Sequence, residues 1–129
     1  MLTGSCLCGD VAFEIDGAAR PVVACHCGQC RKASGHYWAS TQVESAALRL
    51  TRDAGLRWYR SSDFARRGFC GRCGATLFWE MDGEGCVSVS GGALDAPTGL
   101  TLERHIFTAW KGDYYEIGAA DRAAQIDSY

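Results

Sequence analysis

Seven of the eight cysteines in this 129-residue chain fall into three short clusters. Cys6 and Cys8 flank a single residue, Cys25, Cys27 and Cys30 crowd into one stretch, and Cys70 and Cys73 bracket Gly71-Arg72. Thiols so close along the chain are poor core residues but good ligands for one soft metal ion. A thiolate-rich set selects zinc, which takes four ligands tetrahedrally and undergoes no redox change. Four thiolates close the ion and hold a fold together, whereas three leave a position for water or substrate, as in catalytic sites. Seven clustered thiols divide naturally into a closed set, Cys6, Cys8, Cys70 and Cys73, and an open set, Cys25, Cys27 and Cys30. Spacing alone leaves this pairing open, because any two clusters can share an ion. With Cys86 as an eighth ligand both sites would be closed and the protein purely structural. Cys86 stands alone at the head of an alternating run, however, the setting of a small buried hydrophobe. His26 lies between two ligands in an extended stretch, so its side chain is expected on the opposite face.

Metal is favoured over disulfides by the C-x-C and C-x-x-C spacings and by the lack of a basic-then-apolar leader. No apolar run approaches a membrane span. The expected location is cytoplasmic, with no membrane partner. A redox pair at Cys70 and Cys73 would need a βαβ setting, and the flanking segments read as strands instead. The net charge of −2 argues against nucleic-acid binding, but it hides an asymmetry. From Arg31 to Cys73 there are nine basic residues and three acidic ones, a local +6. Arginines converging near the metal would make a site for a small anionic ligand.

The elements that must position these residues are mostly short strands. Residues 11–15, 37–43 and 56–60 alternate or carry β-formers, and 22–24 feeds the central cluster. Residues 76–81 and 86–90 read as a hairpin across Asp82-Gly83-Glu84-Gly85. Residues 103–107 and 114–117 are the expected final strands. Residues 46–50 suit either a short helix or a strand, and 31–35 suit a helical turn stopped by Gly35. Gly9 and Gly74, each directly after a thiol pair, allow positive φ and matching metal knuckles. Residues 118–129 offer little apolar face and read as a frayed tail. The expectation is a mainly β, small single domain of short antiparallel sheets over residues 1–117.

The stretches Gly4-Ser5-Cys6-Leu7-Cys8-Gly9, Cys25-His26-Cys27-Gly28-Gln29-Cys30-Arg31 and Phe69-Cys70-Gly71-Arg72-Cys73-Gly74 together resemble the glutathione-dependent formaldehyde-activating enzymes. That family shares its domain with centromere protein V. Gly92-Ala93-Leu94-Asp95 and His105-Ile106-Phe107 resemble its weaker downstream signatures, so the resemblance runs from about Gly4 to Ile117. It implies sheets arranged like a tent and pinned by a structural zinc on Cys6, Cys8, Cys70 and Cys73. It also implies a catalytic-type zinc, which can be partly occupied, on Cys25, Cys27 and Cys30. The implied activity is that of a carbon–sulfur lyase joining formaldehyde and glutathione into S-hydroxymethylglutathione, with glutathione or another small thiol as the partner. Arg31 and Lys32 are expected to offset the charge of a three-thiolate zinc, and Trp38 and His105 to line the substrate pocket. A zinc-stabilised binding module without catalysis is the competing reading.

Overall fold

The computed structural model describes residues 1–118, 121 and 124–128. Two sheets carry the chain. The smaller has the order β1-β2-β5, from Leu2–Ser5, Ala12–Ile15 and Leu48–Arg52, all antiparallel. The larger uses β3 (Val22–Cys25), β4 (Trp38–Glu44), β6 (Leu56–Arg60), β7 (Ala65–Cys70), β8 (Thr76–Met81), β9 (Cys86–Ser90), β10 (Leu102–Ile106) and β11 (Ala124–Gln125). Its order is β11-β10-β3-β4-β9-β8-β7-β6. A seven-residue helix, α1 (Gly28–Ser34), follows β3 and stops at Gly35, whose φ of 90° only glycine adopts without strain.

The domain is mainly β, but its large sheet is mixed rather than antiparallel throughout. β10 pairs with β3 and with β11 in parallel. Parallel neighbours need a long crossover, and here most of the chain lies between β3 and β10. Residues 46–50 resolve into both alternatives, a 3₁₀ turn at Ser45–Ala47 and then β5. The strand expected over 114–117 does not form. Tyr114 and Tyr115 instead turn their rings onto His36 and His26, and the Tyr115 carbonyl accepts from Lys111 Nζ at 2.6 Å. Part of the expected tail, residues 119, 120, 122, 123 and 129, lies outside the described residues. Of the rest, Ala124 and Gln125 attach through backbone pairing to Arg104 and His105, which needs no apolar face.

Strand alternation gives the large sheet two different faces. One carries Val43, Val87, Val89 and Phe78 and packs on Phe13 and Ile15 from the small sheet and on Val11 just before β2, forming the core. Phe13 and Phe78 meet edge to face at 5.4 Å, and Trp58 stacks on Phe78. The other face presents Val23, Cys25, Ser40, Gln42, Cys86 and Ser88 to a cavity. Gly4 permits β1 to pack tightly against β2 and the 3₁₀ turn at Gly91–Ala93: a Cβ there would stand 2.5 Å from both the Phe13 ring and the Ala93 carbonyl oxygen. Gly4→Ala is expected to cost about 1–3 kcal/mol through overpacking, read from the urea midpoint at unchanged slope.

No described helix is long and apolar enough to cross a membrane.

Candidate metal centres and the adjoining cavity

The first centre ties the two sheets together. Cys6 and Cys8 follow β1, while Cys70 ends β7 and Cys73 comes three residues later. Their four sulfurs lie within 4.8 Å of one another. Cys8 Sγ is 3.7 Å from Cys6 Sγ and 3.8 Å from Cys70 Sγ. A tetrahedral zinc with Zn–S bonds of about 2.3 Å requires sulfur–sulfur edges of about 3.8 Å, so this donor set fits zinc in spacing and in chemistry. Two equivalent turns hold it. Gly9 (φ 82°) and Gly74 (φ 80°) each direct a backbone N–H at the carbonyl of the preceding turn's first cysteine. Val11 N–H donates to Cys6 Sγ at 3.2 Å, and Cys73 N–H to Cys70 Sγ at 3.4 Å. Donors aimed at sulfur favour thiolate over thiol. The backbone N–H of Ala75 leads in pulling the Cys73 thiol down to about 6.

The second centre contains three sulfurs, those of Cys25, Cys27 and Cys30, again within 4.8 Å of one another. Cys25 ends β3 between β10 and β4, with Ile106 and Trp38 as its Cα partners. Cys27 is the N-cap of α1, and its Sγ accepts the Cys30 N–H at 3.3 Å. The chain enters the helix through its own ligand, so local backbone geometry fixes two of the three donors. Contact with the Cys25 and Cys30 thiols, aided by the N–H groups of Cys30 and Gln29, holds the Cys27 thiol down at about 2. The same contact with Cys27, together with Cys30 and burial, pushes Cys25 up. The opposed shifts favour a thiolate within the trio, and three soft donors with no fourth among the described residues fit an open zinc site. Cys86 borders the same cavity without joining the group.

His26 also stays outside it. It is fully buried, shares a hydrogen bond with the Tyr115 hydroxyl through Nδ1, and meets His105 Nδ1 at 2.9 Å through Nε2. His105 Nε2 in turn lies 2.7 Å from Asp121 Oδ2. Burial, reinforced by His105, His36 and Lys111, lowers His26 to about 4 and keeps it neutral. This chain braces the ligand loop from behind.

A cavity of about 670 Å³ opens beside the trio. Its wall includes Trp38, whose Nε1–H donates to Ser90 Oγ at 2.6 Å and which is thereby fixed in place. It also includes Arg67, 8% exposed, which donates to Gln29 Oε1 from Nε and Nη2 at 2.9 and 2.8 Å. Nη2 is also 3.5 Å from Cys30 Sγ. The basic partner of the trio is thus Arg67. Arg31 donates to the Trp110 carbonyl at 3.0 Å, Lys32 is exposed, and His105 is buried in the histidine chain. None of these three lines the cavity. A broader depression of about 750 Å³ lies over Cys6, Leu7 and Gly74 and contains none of the trio.

The sequence profile of the glutathione-dependent formaldehyde-activating enzymes matches residues 1–110, a span that holds both sulfur clusters and the cavity. The chain belongs to that family. A family relative, an uncharacterized lyase of Schizosaccharomyces pombe, is 25% identical over 126 residues, covering 96% of this chain and 90% of its own. Among solved structures, a Rhodobacter sphaeroides protein from a structural genomics programme superposes with a TM-score of 0.60 at 25% identity. The match spans 73% of this chain and 88% of that one.

Proposed function

We propose that this chain is a carbon–sulfur lyase that makes and cleaves thiol–aldehyde adducts, with S-hydroxymethylglutathione as the reference substrate. The observation that carries the reading is the three-sulfur set opening onto a cavity large enough for a small peptide thiol. Membership of the family and the lyase designation of the yeast relative support it. Eight free thiols suit a reducing, cytoplasmic setting.

Cys25, Cys27 and Cys30 would hold the catalytic-type zinc, and Cys6, Cys8, Cys70 and Cys73 the structural one. When bound, the catalytic-type ion would supply a Lewis-acid position that lowers the pKa of a substrate thiol. The chain's residues do the rest. Arg67 places a cation beside Cys30, offsetting the anionic trio and drawing in a thiolate. Trp38, pinned by Ser90, narrows the approach and excludes water from the sulfur-bearing wall. In the forward direction the substrate thiol gives up its proton to water, and the sulfur lone pair forms the C–S bond to the aldehyde carbon. The carbonyl π pair moves to oxygen, which takes a proton back from water, so no proton is gained or lost overall. In reverse, the hydroxyl loses its proton to water, the C–O double bond re-forms, the C–S pair returns to sulfur, and the sulfur takes up a proton.

The test is exchange between glutathione plus formaldehyde and S-hydroxymethylglutathione, followed by NMR with reduced, zinc-loaded protein. Exchange is expected above the uncatalysed rate and is lost on stripping the metal. Fully loaded protein that leaves the rate unchanged would overturn the lyase reading in favour of a binding module.

A further inference from the structure

Beyond the trio, the cavity wall is dominated by large apolar side chains that a one-carbon aldehyde does not need. Phe107 is the most telling of them. It is the only non-glycine residue among those described with positive φ, at φ 54° and ψ 42°. A bulky aromatic residue in the left-handed region is strained, and such strain collects at binding and catalytic sites. The strand leading into it ends at Ile106, the Cα partner of Cys25, so the strained turn sets the Phe107 ring on the wall next to the trio. Trp110 braces that ring edge-on at 5.8 Å. Trp79 and Met81 of β8 line the same cavity, and Phe64 stands among its lining residues 54% exposed. An exposed aromatic residue within an apolar concavity is a mark of ligand contact. The wall's charged groups are few. Glu84 is the one carboxylate among the described lining residues. Of the two arginines there, Arg20 and Arg67, Arg67 is held by Gln29 and Cys30 through Nε and Nη2, while its buried Nη1 has no hydrogen-bond partner among the described residues.

The geometry points to an apolar subsite formed by Phe107, Trp79, Met81 and Phe64, which takes an aryl or alkyl arm of the thiol–aldehyde adduct. The inference rests on the lyase reading for the chemistry at the trio and adds the substrate class. The arm can enter on either half of the adduct. An aryl aldehyde plus glutathione places it on the former carbonyl carbon, and an aryl thiol plus formaldehyde places it on the thiol side.

Binding separates this inference from catalysis. Zinc-loaded protein is titrated calorimetrically with S-methylglutathione and S-benzylglutathione, which do not react, and then assayed with the glutathione adduct of phenylacetaldehyde and the formaldehyde adduct of benzyl mercaptan. The benzyl thioether is expected to bind roughly tenfold tighter or more, and at least one aryl adduct to turn over with higher kcat/KM than S-hydroxymethylglutathione. Whichever aryl adduct is preferred identifies the half that carries the arm. Phe64→Ala and Phe107→Gly are each expected to reduce the benzyl preference severalfold. Tm is measured alongside, because glycine relieves the strained backbone at Phe107 but gives up the ring's packing on Trp110. Equal binding of the two thioethers, or a preference unchanged in both variants, overturns the subsite. Turnover of S-hydroxymethylglutathione with no aryl preference removes the subsite and leaves the lyase reading intact. A persistent benzyl preference without turnover of any adduct does the reverse.

Discussion

Cys70→Ser is expected to lower Tm by about 10–15 °C and to abolish retention of one metal equivalent. Structural zinc sites in small domains contribute roughly 10–16 kcal/mol, so one ligand's share is about 3–4 kcal/mol. Against a total stability of about 5–15 kcal/mol that is a large fraction, and for a domain of this size each kcal/mol moves Tm by about 3–5 °C. The position makes the loss global. Cys70 is fully buried, belongs to the core cluster and closes β7, while Cys6 and Cys8 descend from β1, so the site joins the two sheets. Part of the effect of Cys70→Ser would arise from packing, because a buried thiol becomes a hydroxyl. Cys8→Ser isolates the metal contribution, since Cys8 is exposed and buries almost nothing. Its Tm is expected to fall nearly as far as that of Cys70→Ser when measured by calorimetry on reduced protein, and a chelator should bring wild type down to the same value. A Cys8→Ser protein with wild-type Tm and full metal content would show that packing, not an ion, joins the sheets.

The two faces of the large sheet explain what could be read from the sequence. Local signals were legible: alternation marked β2, β6 and the β8–β9 hairpin, and the glycines after each thiol pair marked the two matching turns. Each thiol cluster was legible from its spacing, whereas the joining of Cys6 and Cys8 with Cys70 and Cys73 into one group depends on the approach of β1 and β7, which spacing left open. The walls around the trio were not legible, because they come from distant strands. β10 reaches β3 in parallel across most of the chain, and no local pattern announces a parallel partner. Arg67 shows the difficulty most clearly. Alternation puts Arg67 on the face opposite core-facing Cys70, as observed, but it does not say that this face meets Cys30 from a distant part of the chain. The charge excess of the middle section thus flagged a set of arginines without distinguishing the one that meets Cys30. Tyr114 and Tyr115 failed for a related reason: β-forming residues serve as aromatic packing over two histidines when no strand edge is offered. His105 sits in a strand as expected, yet its face belongs to the buried chain behind the ligands rather than to the cavity.

Cys27→Ser should separate function from fold. Serine is as good an N-cap as a residue can be, so the hydroxyl can take over the Cys30 N–H that Cys27 Sγ now accepts at 3.3 Å, and α1 should persist. What serine cannot supply is the soft anionic donor of a three-thiolate site. The expected result is loss of the second metal ion alone, with Tm within a few degrees of wild type by calorimetry. A Lewis-acid position is worth several kcal/mol, so adduct exchange is expected to fall by roughly 10²–10³-fold. Cys86→Ser is the decisive companion. Cys86 lines the same cavity and is the one cysteine outside both sulfur groups, and so the candidate for a fourth thiolate. If the site is open, this variant keeps both ions and most of the turnover, because its thiol is no part of the sulfur group. If Cys86→Ser instead releases the same ion as Cys27→Ser, four protein thiolates close the site. No coordination position would then remain for a substrate thiol, and the lyase reading would fail together with every step that depends on it.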